Sequence, residues 1–105
     1  MDNIVNTYGD GVRFEWDPEK AEINLRKHRI GFPLAQRVWD DPFLVIVPDR
    51  TVDGEERFHA IGAVQGVVIV LVVHTYPDPG DDNRIRIISA RKATPHERRR
   101  YEEES

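Results

Sequence analysis

The sequence contains no cysteine. This absence excludes a disulfide framework, thiolate metal ligands and a cysteine nucleophile, and it is compatible with a reducing cytoplasm. Long apolar runs are also missing: the longest, Val67–Val73, has seven residues, against the roughly 20 that a membrane-spanning helix needs. The N-terminus shows neither the basic start nor the apolar stretch of a signal peptide. We therefore expect a cytoplasmic protein that does not contact membranes.

What the sequence does contain is typical of one ordered domain. Its 105 residues are 39% hydrophobic and include two Trp, four Phe and three Tyr, enough for a single modest core. Residues 1–11 are rich in Asn, Asp and Gly. We expect them to form a flexible leader, followed by a single domain over residues 12–105.

Positive charge is concentrated in one segment. The whole chain has a net charge of −4, yet residues 84–100 contain seven Arg or Lys and one acid, a net charge of +6. Residues 1–83 contain eight bases and fifteen acids, a net charge of −7. The acidic total argues against general coating of nucleic acid, whereas the local basic segment predicts a surface that binds anions.

Two helices have marked starts in the sequence. Asp17-Pro18 supplies a capping oxygen followed by a proline at the first helical position, and Thr94-Pro95 repeats the pattern, with Glu97 completing a capping box. The first helix is predicted over Pro18–His28 and ends before Gly31; a shorter helix begins at Pro33. The stripe predicted to face inward on the first helix consists of Ala21, Asn24, Leu25 and His28.

Period-two alternation and apolar runs predict the strands. A short strand covers Val12–Trp16, and four antiparallel strands joined by turns follow the helices. They are predicted at Phe43–Val47, Glu55–Val64, Val67–Thr75 and from Arg84 onward, with a turn over Pro48–Gly54. The result is an α+β domain with one sheet and helices packed on one face.

Three segments carry a family resemblance: Phe14–Phe32, Gly54–Gly62 and Arg84–Glu103. In this order and spacing they resemble the BrnT toxins, which belong to the RelE-like ribonuclease toxins of bacterial type II toxin–antitoxin systems. The resemblance implies a RelE-like fold, with a small mostly antiparallel sheet, N-terminal helices on one face and a C-terminal helix. It also implies a ribonuclease that blocks translation.

The resemblance further implies a partner. A ribbon-helix-helix antitoxin would neutralise the toxin and repress their shared operon, so operator DNA would be contacted only through that complex. This chain departs from the RelE-like toxins in one respect, because they are commonly basic overall and it is acidic. The basic segment 84–100 is therefore the expected docking surface for RNA phosphates.

Metal-independent RNA cleavage needs a base for the 2′-OH, a cation for the phosphorane and an acid for the leaving oxygen. Arginine suits the second task because its planar fork binds two phosphate oxygens. We expect Arg91 to be the main clamp. The full set of catalytic candidates is Arg91, Arg57, His59, Arg86, His28 and Lys27, and the RNA-binding candidates are Arg84, Lys92 and Tyr101.

These candidates also have structural interpretations. Arg57 could pair with Glu56 or Glu97 to pin the sheet to a helix, and His74 continues an apolar face, which favours a place at the edge of the core. Asn24 and His28 could be buried and bonded to backbone, or His28 with Lys27 could face a site at the end of the first helix. No histidine spacing predicts a metal site, and no cofactor is expected.

Two other functions remain open from the sequence. The chain could be a non-catalytic protein-binding module, or an inactive toxin homologue that acts mainly through its partner complex. Its apolar strands would then supply an edge or groove for a partner's helix. A DNA-binding repressor acting alone is disfavoured, because the basic helix 96–103 is short and ends in acids.

Overall fold

The computed structural model describes residues 4–8 and 11–104, and for residues 4–8 only the backbone. The described chain forms six strands: β1 (Ile4–Tyr8), β2 (Val12–Trp16), β3 (Val45–Val52), β4 (Glu55–Val64), β5 (Val68–Thr75) and β6 (Arg84–Lys92). Its α-helices are α1 (Pro18–His28), α2 (Phe32–Ala35) and α3 (Pro95–Glu104), and a 3-10 helix covers Gln36–Asp40.

All six strands join one sheet in the order β1-β2-β6-β5-β4-β3. Neighbouring strands from β3 to β6 are antiparallel, as is the β1–β2 pair, while β2 runs parallel to β6. The predicted α+β class and the mostly antiparallel sheet are therefore confirmed.

One edge of the sheet comes from the stretch expected to be a leader. The β1 strand lies within residues 1–11, and its register with β2 runs from Ile4 opposite Trp16 to Tyr8 opposite Val12. A flexible leader is wrong for these five residues, while residues 1–3 and 9–10 lie outside the described part. The Asn, Asp and Gly content suggested a loop because local composition does not reveal pairing with a neighbouring strand.

Both predicted helix starts are confirmed by their hydrogen bonds. The Asp17 carboxylate accepts from the Glu19 amide at 2.9 Å. At the start of α3, the Glu97 amide donates to Thr94 Oγ1 at 3.2 Å and the Thr94 amide donates to Glu97 Oε1 at 2.9 Å, a complete capping box. The helix α1 ends at His28, as predicted; the next residue, Arg29, is left-handed (φ 62°) and donates its amide to the Leu25 carbonyl.

The main core lies between the sheet and the helices α1, α2 and the 3-10 helix. We call this side of the sheet the helix face; its buried side chains are Phe14, Trp16, Ala60, Val64, Val70, Val72, Ile85, Ile87 and Ala90. Gly62 allows a close approach here, because a Cβ at this position would lie 2.8 Å from Val38 Cγ1. The 3-10 helix thereby packs directly against β4.

The inward stripe of α1 is only partly as predicted. Leu25 is 49% exposed, so its place in the stripe is wrong, whereas Asn24 is buried. Asn24 donates to the carbonyls of Ile30 and Ala90 and accepts from the Ala90 amide. Since β2 pairs only with the first residues of β6, this side chain supplies the hydrogen bonds that a neighbouring strand would give to Ala90. The structural interpretation of Asn24 is confirmed.

The strand β3 is displaced from its predicted position. It begins at Val45 rather than Phe43, which is 58% exposed, and it continues through Pro48 to Val52. Pro48 is compatible with a strand because β3 is at the edge of the sheet, next to an irregularity in the register. The turn predicted over Pro48–Gly54 is therefore limited to Asp53-Gly54, with φ of 50° and 79°.

Candidate functional site

The side of the sheet opposite the helix face carries a band of polar side chains. Their neighbours in sequence point into the main core, so strand alternation directs them to the other side. We call this side the polar face; its residues are Glu15, Arg57, His59, Thr75, Arg84, Arg86, Ser89 and Arg91.

A bulge in β6 brings two of the candidate arginines together. Ile87 pairs with His74 and Ser89 pairs with Val73, so Ile88 is an extra residue. Sequence parity placed Arg86 and Arg91 on opposite faces. The bulge reverses that parity, and both side chains lie on the polar face, opposite Thr75 and Leu71 respectively.

Glu15 organises one end of the polar face. Its carboxylate, only 5% exposed, accepts from Arg84 Nε at 2.6 Å and from Arg86 Nε and Nη2 at 3.0 and 2.6 Å. The hydrogen bond that Arg84 donates to Glu15 raises the pKa of Arg84 above its usual value. One carboxylate balances two guanidinium groups, so this trio retains a net positive charge.

Arg91, the predicted main clamp, is held by α3. Its Nη1 and Nη2 donate to Glu97 Oε1 and Oε2 at 2.7 and 2.9 Å. The hydrogen bonds from Arg91 lower the pKa of Glu97 to about 2, and the same pair raises the pKa of Arg91. Because Glu97 also caps α3, this ion pair fixes the helix over the end of the polar face.

Arg57 differs from the other arginines of the polar face. It is half-buried, its Nε is sealed from solvent, and no carboxylate of the described residues forms an ion pair with it. The interpretation of Arg57 as an ion pair with Glu56 or Glu97 is therefore wrong for this structure, since Glu97 binds Arg91. Beside it, the Thr75 hydroxyl is buried and also lacks a hydrogen-bond partner.

His59 lies on the same strand and face as Arg57, two residues further along. Its Nε2 is 3.3 Å from Asp49 Oδ2 on β3, and its side chain is 24% exposed. A carboxylate at this distance orients the imidazole and favours the tautomer whose Nε2–H donates to it. His59 is thus a held but accessible group for proton transfer.

His28 and Lys27 lie apart from this band, at the end of α1. They line an open hollow of about 280 Å³ together with Lys20, Ile23, Asn24, Ile88 and Ser89. The hollow reaches the polar face at Ser89. The hypothesis that His28 and Lys27 face a site where the helix ends remains a prediction, and the structure shows the hollow that it would use.

Two RNA-binding candidates lie elsewhere. Lys92 pairs with Val70 and borders an apolar hollow on the helix face, and Tyr101 donates its hydroxyl to Asp41 Oδ2 at 2.5 Å. Burial, reinforced by this hydrogen bond, raises the pKa of Tyr101 to about 12. Tyr101 therefore ties α3 to the loop that follows the 3-10 helix.

His74 occupies the core as the sequence favoured. It is fully buried, and its ring lies 5.0 Å from Trp39, 5.8 Å from Phe58 and 5.1 Å from Tyr76, between centroids. Burial lowers its pKa to about 4. The ring is neutral at pH 7 and takes no part in the polar face.

Over residues 4–8 and 11–104, His, Asp and Glu side chains do not gather in groups of three that could bind a metal ion. Nor does this part of the chain contain a helix long and apolar enough to cross a membrane.

The family model of BrnT, the ribonuclease toxin of type II toxin–antitoxin systems, matches residues 16–97. The chain belongs to the BrnT family. Its structure is similar to the crystal structure of the Brucella abortus ribonuclease toxin BrnT, with 25% sequence identity and a TM-score of 0.57 over 75% of this chain and 92% of that chain. No curated protein matches the sequence.

The family resemblance expected from the three segments is thus confirmed. BrnT proteins are ribonuclease toxins of toxin–antitoxin systems, which implies an RNA substrate and an antitoxin partner for the family. The matched region includes Arg57, His59, Thr75, Arg86 and Arg91. Sequence reasoning missed three residues of the site, Glu15, Asp49 and Thr75. For Glu15, the available signal was its alternation with Phe14 and Trp16, which places it on the opposite side of the strand.

Proposed function

We propose that the chain is a metal-independent endoribonuclease toxin that inhibits translation by cleaving RNA on the polar face. The observation that carries this proposal is the pair formed by Arg57 and His59 on one strand. Arg57 is a cation without a carboxylate partner among the described residues, and His59 is an accessible imidazole oriented by Asp49. They lie two positions apart on the strand, a rise of roughly 7 Å.

The roles follow from these contacts. Arg57 holds the scissile phosphate and stabilises the charge that develops on it, because a guanidinium stays ionised at any working pH. His59 transfers the proton at the 2′-OH or at the leaving oxygen. Arg86 and Arg84 hold neighbouring phosphates, and their net charge beside Glu15 stays positive.

Arg91 has a different role in this proposal. With both terminal nitrogens on Glu97, it positions α3 at the rim of the site and reaches phosphate only when that pair opens. His28 and Lys27, in the hollow beside Ser89, receive the RNA strand as it leaves the face.

The experiment that tests the activity is cleavage of a labelled RNA by purified protein in a chelating buffer. Wild-type protein should cut the RNA, and His59→Gln should cut it about 100-fold more slowly, the usual contribution of a positioned acid–base group. His96→Gln, at an exposed position on α3, is the matched control and should behave as wild type. Equal rates for both variants would remove His59 from the mechanism.

The partner is proposed to be a ribbon-helix-helix antitoxin, and operator DNA is bound only by the complex. Induction of the chain alone should arrest growth and translation, and co-expression with the product of the adjacent reading frame should restore both. Arrest that the adjacent product does not relieve would contradict this assignment.

The alternative is a non-catalytic module or an inactive homologue that works through its partner complex. The ion pairs favour it, because Arg91, Arg84 and Arg86 all have carboxylate partners. Absence of RNA cleavage by wild-type protein, together with a nanomolar complex with the antitoxin, would establish this alternative.

A further inference from the structure

We propose that Thr75 and Arg57 form a subsite that binds a single phosphate group, with the RNA backbone as its source. The subsite deepens the proposed function, since it names the side chains that would hold one phosphodiester on the polar face. Thr75 was not among the candidates from the sequence. Its assignment rests on register, on two unpaired buried atoms and on the charge around them.

The sheet register places the two residues side by side. Phe58 of β4 is opposite His74 of β5, so the preceding Arg57 lies beside the following Thr75. Arg57 and Thr75 also point to the same side of the sheet. Phe58 and His74 stack on the helix face, so the residues next to them in each strand point to the polar face. Thr75 is in turn opposite Arg86, which makes a row across three strands.

Two donors in this row lack partners. Arg57 Nε and Thr75 Oγ1 are each buried without a hydrogen bond, and an unpaired buried donor costs about 1–3 kcal/mol. Native proteins leave few such groups, and those that persist call for a function or a bound species. Two adjacent donors from an ionised and a neutral side chain match the oxygens of one phosphate.

The charge around the row selects an anion. Arg57, Arg84 and Arg86 contribute three positive charges, while the acid Glu15 already accepts from two of them and the acid Asp49 on β3 is bound to His59. A cation would be repelled here. A phosphate would share Thr75 Oγ1 and the Arg57 guanidinium without displacing an existing ion pair.

The contrast with His74 sharpens the assignment. Its Nε2 is the third buried unpaired atom among the described side chains, but it lies on the other face, enclosed by the rings of Trp39, Phe58 and Tyr76. His74 is fully buried among ring surfaces, and no cationic side chain is among these neighbours. Of the three atoms, only Arg57 Nε and Thr75 Oγ1 belong to a face that carries net positive charge.

The subsite is closed in the free protein, because both atoms are sealed from solvent. Thr75 lies in a strand between two neighbours and stays in place. Arg57 is half-buried and has a long flexible side chain, so rotation of its guanidinium is what opens the subsite. Binding is therefore coupled to that rotation.

The test compares Thr75→Val with Thr75→Ser, measured by calorimetry with two probes, a 2′-O-methyl oligoribonucleotide that cannot be cleaved and inorganic phosphate. The Val variant should bind the oligonucleotide about 10-fold more weakly, the loss expected for one hydrogen bond to a charged group. The Ser variant, which keeps the hydroxyl, should stay within twofold of wild type. Inorganic phosphate should compete with the oligonucleotide on wild-type protein.

The thermal unfolding temperature distinguishes phosphate binding from a structural role for Thr75. A structural role would lower the unfolding temperature of Thr75→Val. Since the hydroxyl has no partner in the free protein, Thr75→Val should unfold at the same temperature as wild type or higher. Unchanged oligonucleotide binding by Thr75→Val would overturn the subsite. So would a 10-fold loss shared by Thr75→Ser, or a lower unfolding temperature for the Val variant.

These outcomes separate the subsite from the proposed activity. If wild-type protein does not cleave RNA but Thr75→Val still weakens oligonucleotide binding, the subsite stands and the nuclease fails. If inorganic phosphate binds in a Thr75-dependent manner and the oligonucleotide does not, the source is free phosphate. If neither probe binds wild-type protein, the subsite is wrong.

Discussion

On the helix face of the sheet, the buried polar groups are neutral and mostly bonded to backbone. On the polar face, the buried carboxylate of Glu15 pairs with arginines, and the Thr75 hydroxyl and Arg57 Nε lack partners. Asn24 makes three hydrogen bonds to main chain, and His74 is kept uncharged among aromatic rings. On the polar face, Glu15 accepts hydrogen bonds from two arginines, whereas Arg57 forms no ion pair with a carboxylate of the described residues. Under the proposed function, one sheet thus separates the groups that stabilise the fold from the groups that bind RNA.

In this small acidic domain, the hydrogen bonding of the polar groups distinguishes those that stabilise the fold from those available to a ligand. Polar groups that stabilise the fold find their partners within the chain, as Glu97 does with Arg91 and Thr94. Groups that serve a ligand are left incompletely bonded, and the fold tolerates their cost of a few kcal/mol. The row from Glu15 to Arg57 has this second property, and the following predictions test the separation.

The largest effect is expected on the polar face, at Arg57. Arg57→Ala should slow RNA cleavage in chelating buffer by about 100- to 1,000-fold, the range for loss of one preorganised electrostatic group. Its unfolding temperature should change little, since Arg57 makes no ion pair in the described structure. Arg26→Ala, on the exposed side of α1, is the matched control. Loss of cleavage in both variants would show that total charge, and not the site, matters.

The next effect belongs to the helix face. Burial lowers the pKa of His74 from 6.5 to about 4, so the folded state binds its proton less tightly than the unfolded state. Stability should be fully present above pH 6.5 and should fall as pH drops toward 4, by up to about 3 kcal/mol. Urea unfolding between pH 7.5 and 4 measures this loss.

The control for that series is His74→Phe, whose ring cannot be protonated and suits the aromatic surroundings. It should flatten the pH dependence above about pH 5, because Glu97, whose pKa falls from 4.5 to about 2 on folding, loses its contribution only below that range. If the free energy of unfolding of His74→Phe depends on pH as it does in wild type, another group is responsible for the dependence.

A smaller effect is expected at Glu15. Glu15→Gln removes the charge that Arg84 and Arg86 share, and it should lower the free energy of unfolding by about 2 kcal/mol, less than for a fully buried pair because both arginines reach solvent. RNA affinity should rise and depend more steeply on salt, since both guanidinium groups are then available to phosphates. Glu19→Gln, exposed on α1, controls for charge alone. Weaker RNA binding by Glu15→Gln would contradict this account.

The smallest effect is expected at Glu97. Glu97→Gln keeps an oxygen that can accept from the Thr94 amide but removes the ion pair with Arg91, which should cost about 1 kcal/mol at this partly exposed position. Thermal unfolding measures the loss, with Glu102→Gln as control. Cleavage should be retained or increased because Arg91 is released. A loss of cleavage comparable to that of Arg57→Ala would restore Arg91 as the main clamp.

Local signals predicted much of this fold. Asp17-Pro18 and Thr94-Pro95 gave the correct helix starts, and Glu55–Val64 was predicted with its observed bounds, because caps and alternation depend on a few neighbouring residues. The sequence also located the basic segment, but it did not reveal the carboxylates that pair with its arginines. Glu15 lies 69 residues before Arg84 in the chain, and no local pattern reveals such a partner.

The remaining errors have the same origin in long-range pairing. The bulge at Ile88 depends on how β6 meets β5, and it places Arg86 and Arg91 on the same face, whereas parity predicted opposite faces. The β1 strand exists through its pairing with β2, which its composition concealed. Thr75 drew no attention because a threonine in an apolar strand is ordinary; what marks it is a hydroxyl without a partner.

The most direct test of the central claim is a map of amide and Arg Nε chemical shifts on adding a non-cleavable 2′-O-methyl oligoribonucleotide to wild-type protein. We predict that the largest changes fall on Arg57, His59, Thr75 and Arg86, with the Arg57 Nε–H signal moving most. Changes confined to the helix face or to α3, with this row unaffected, would contradict the account.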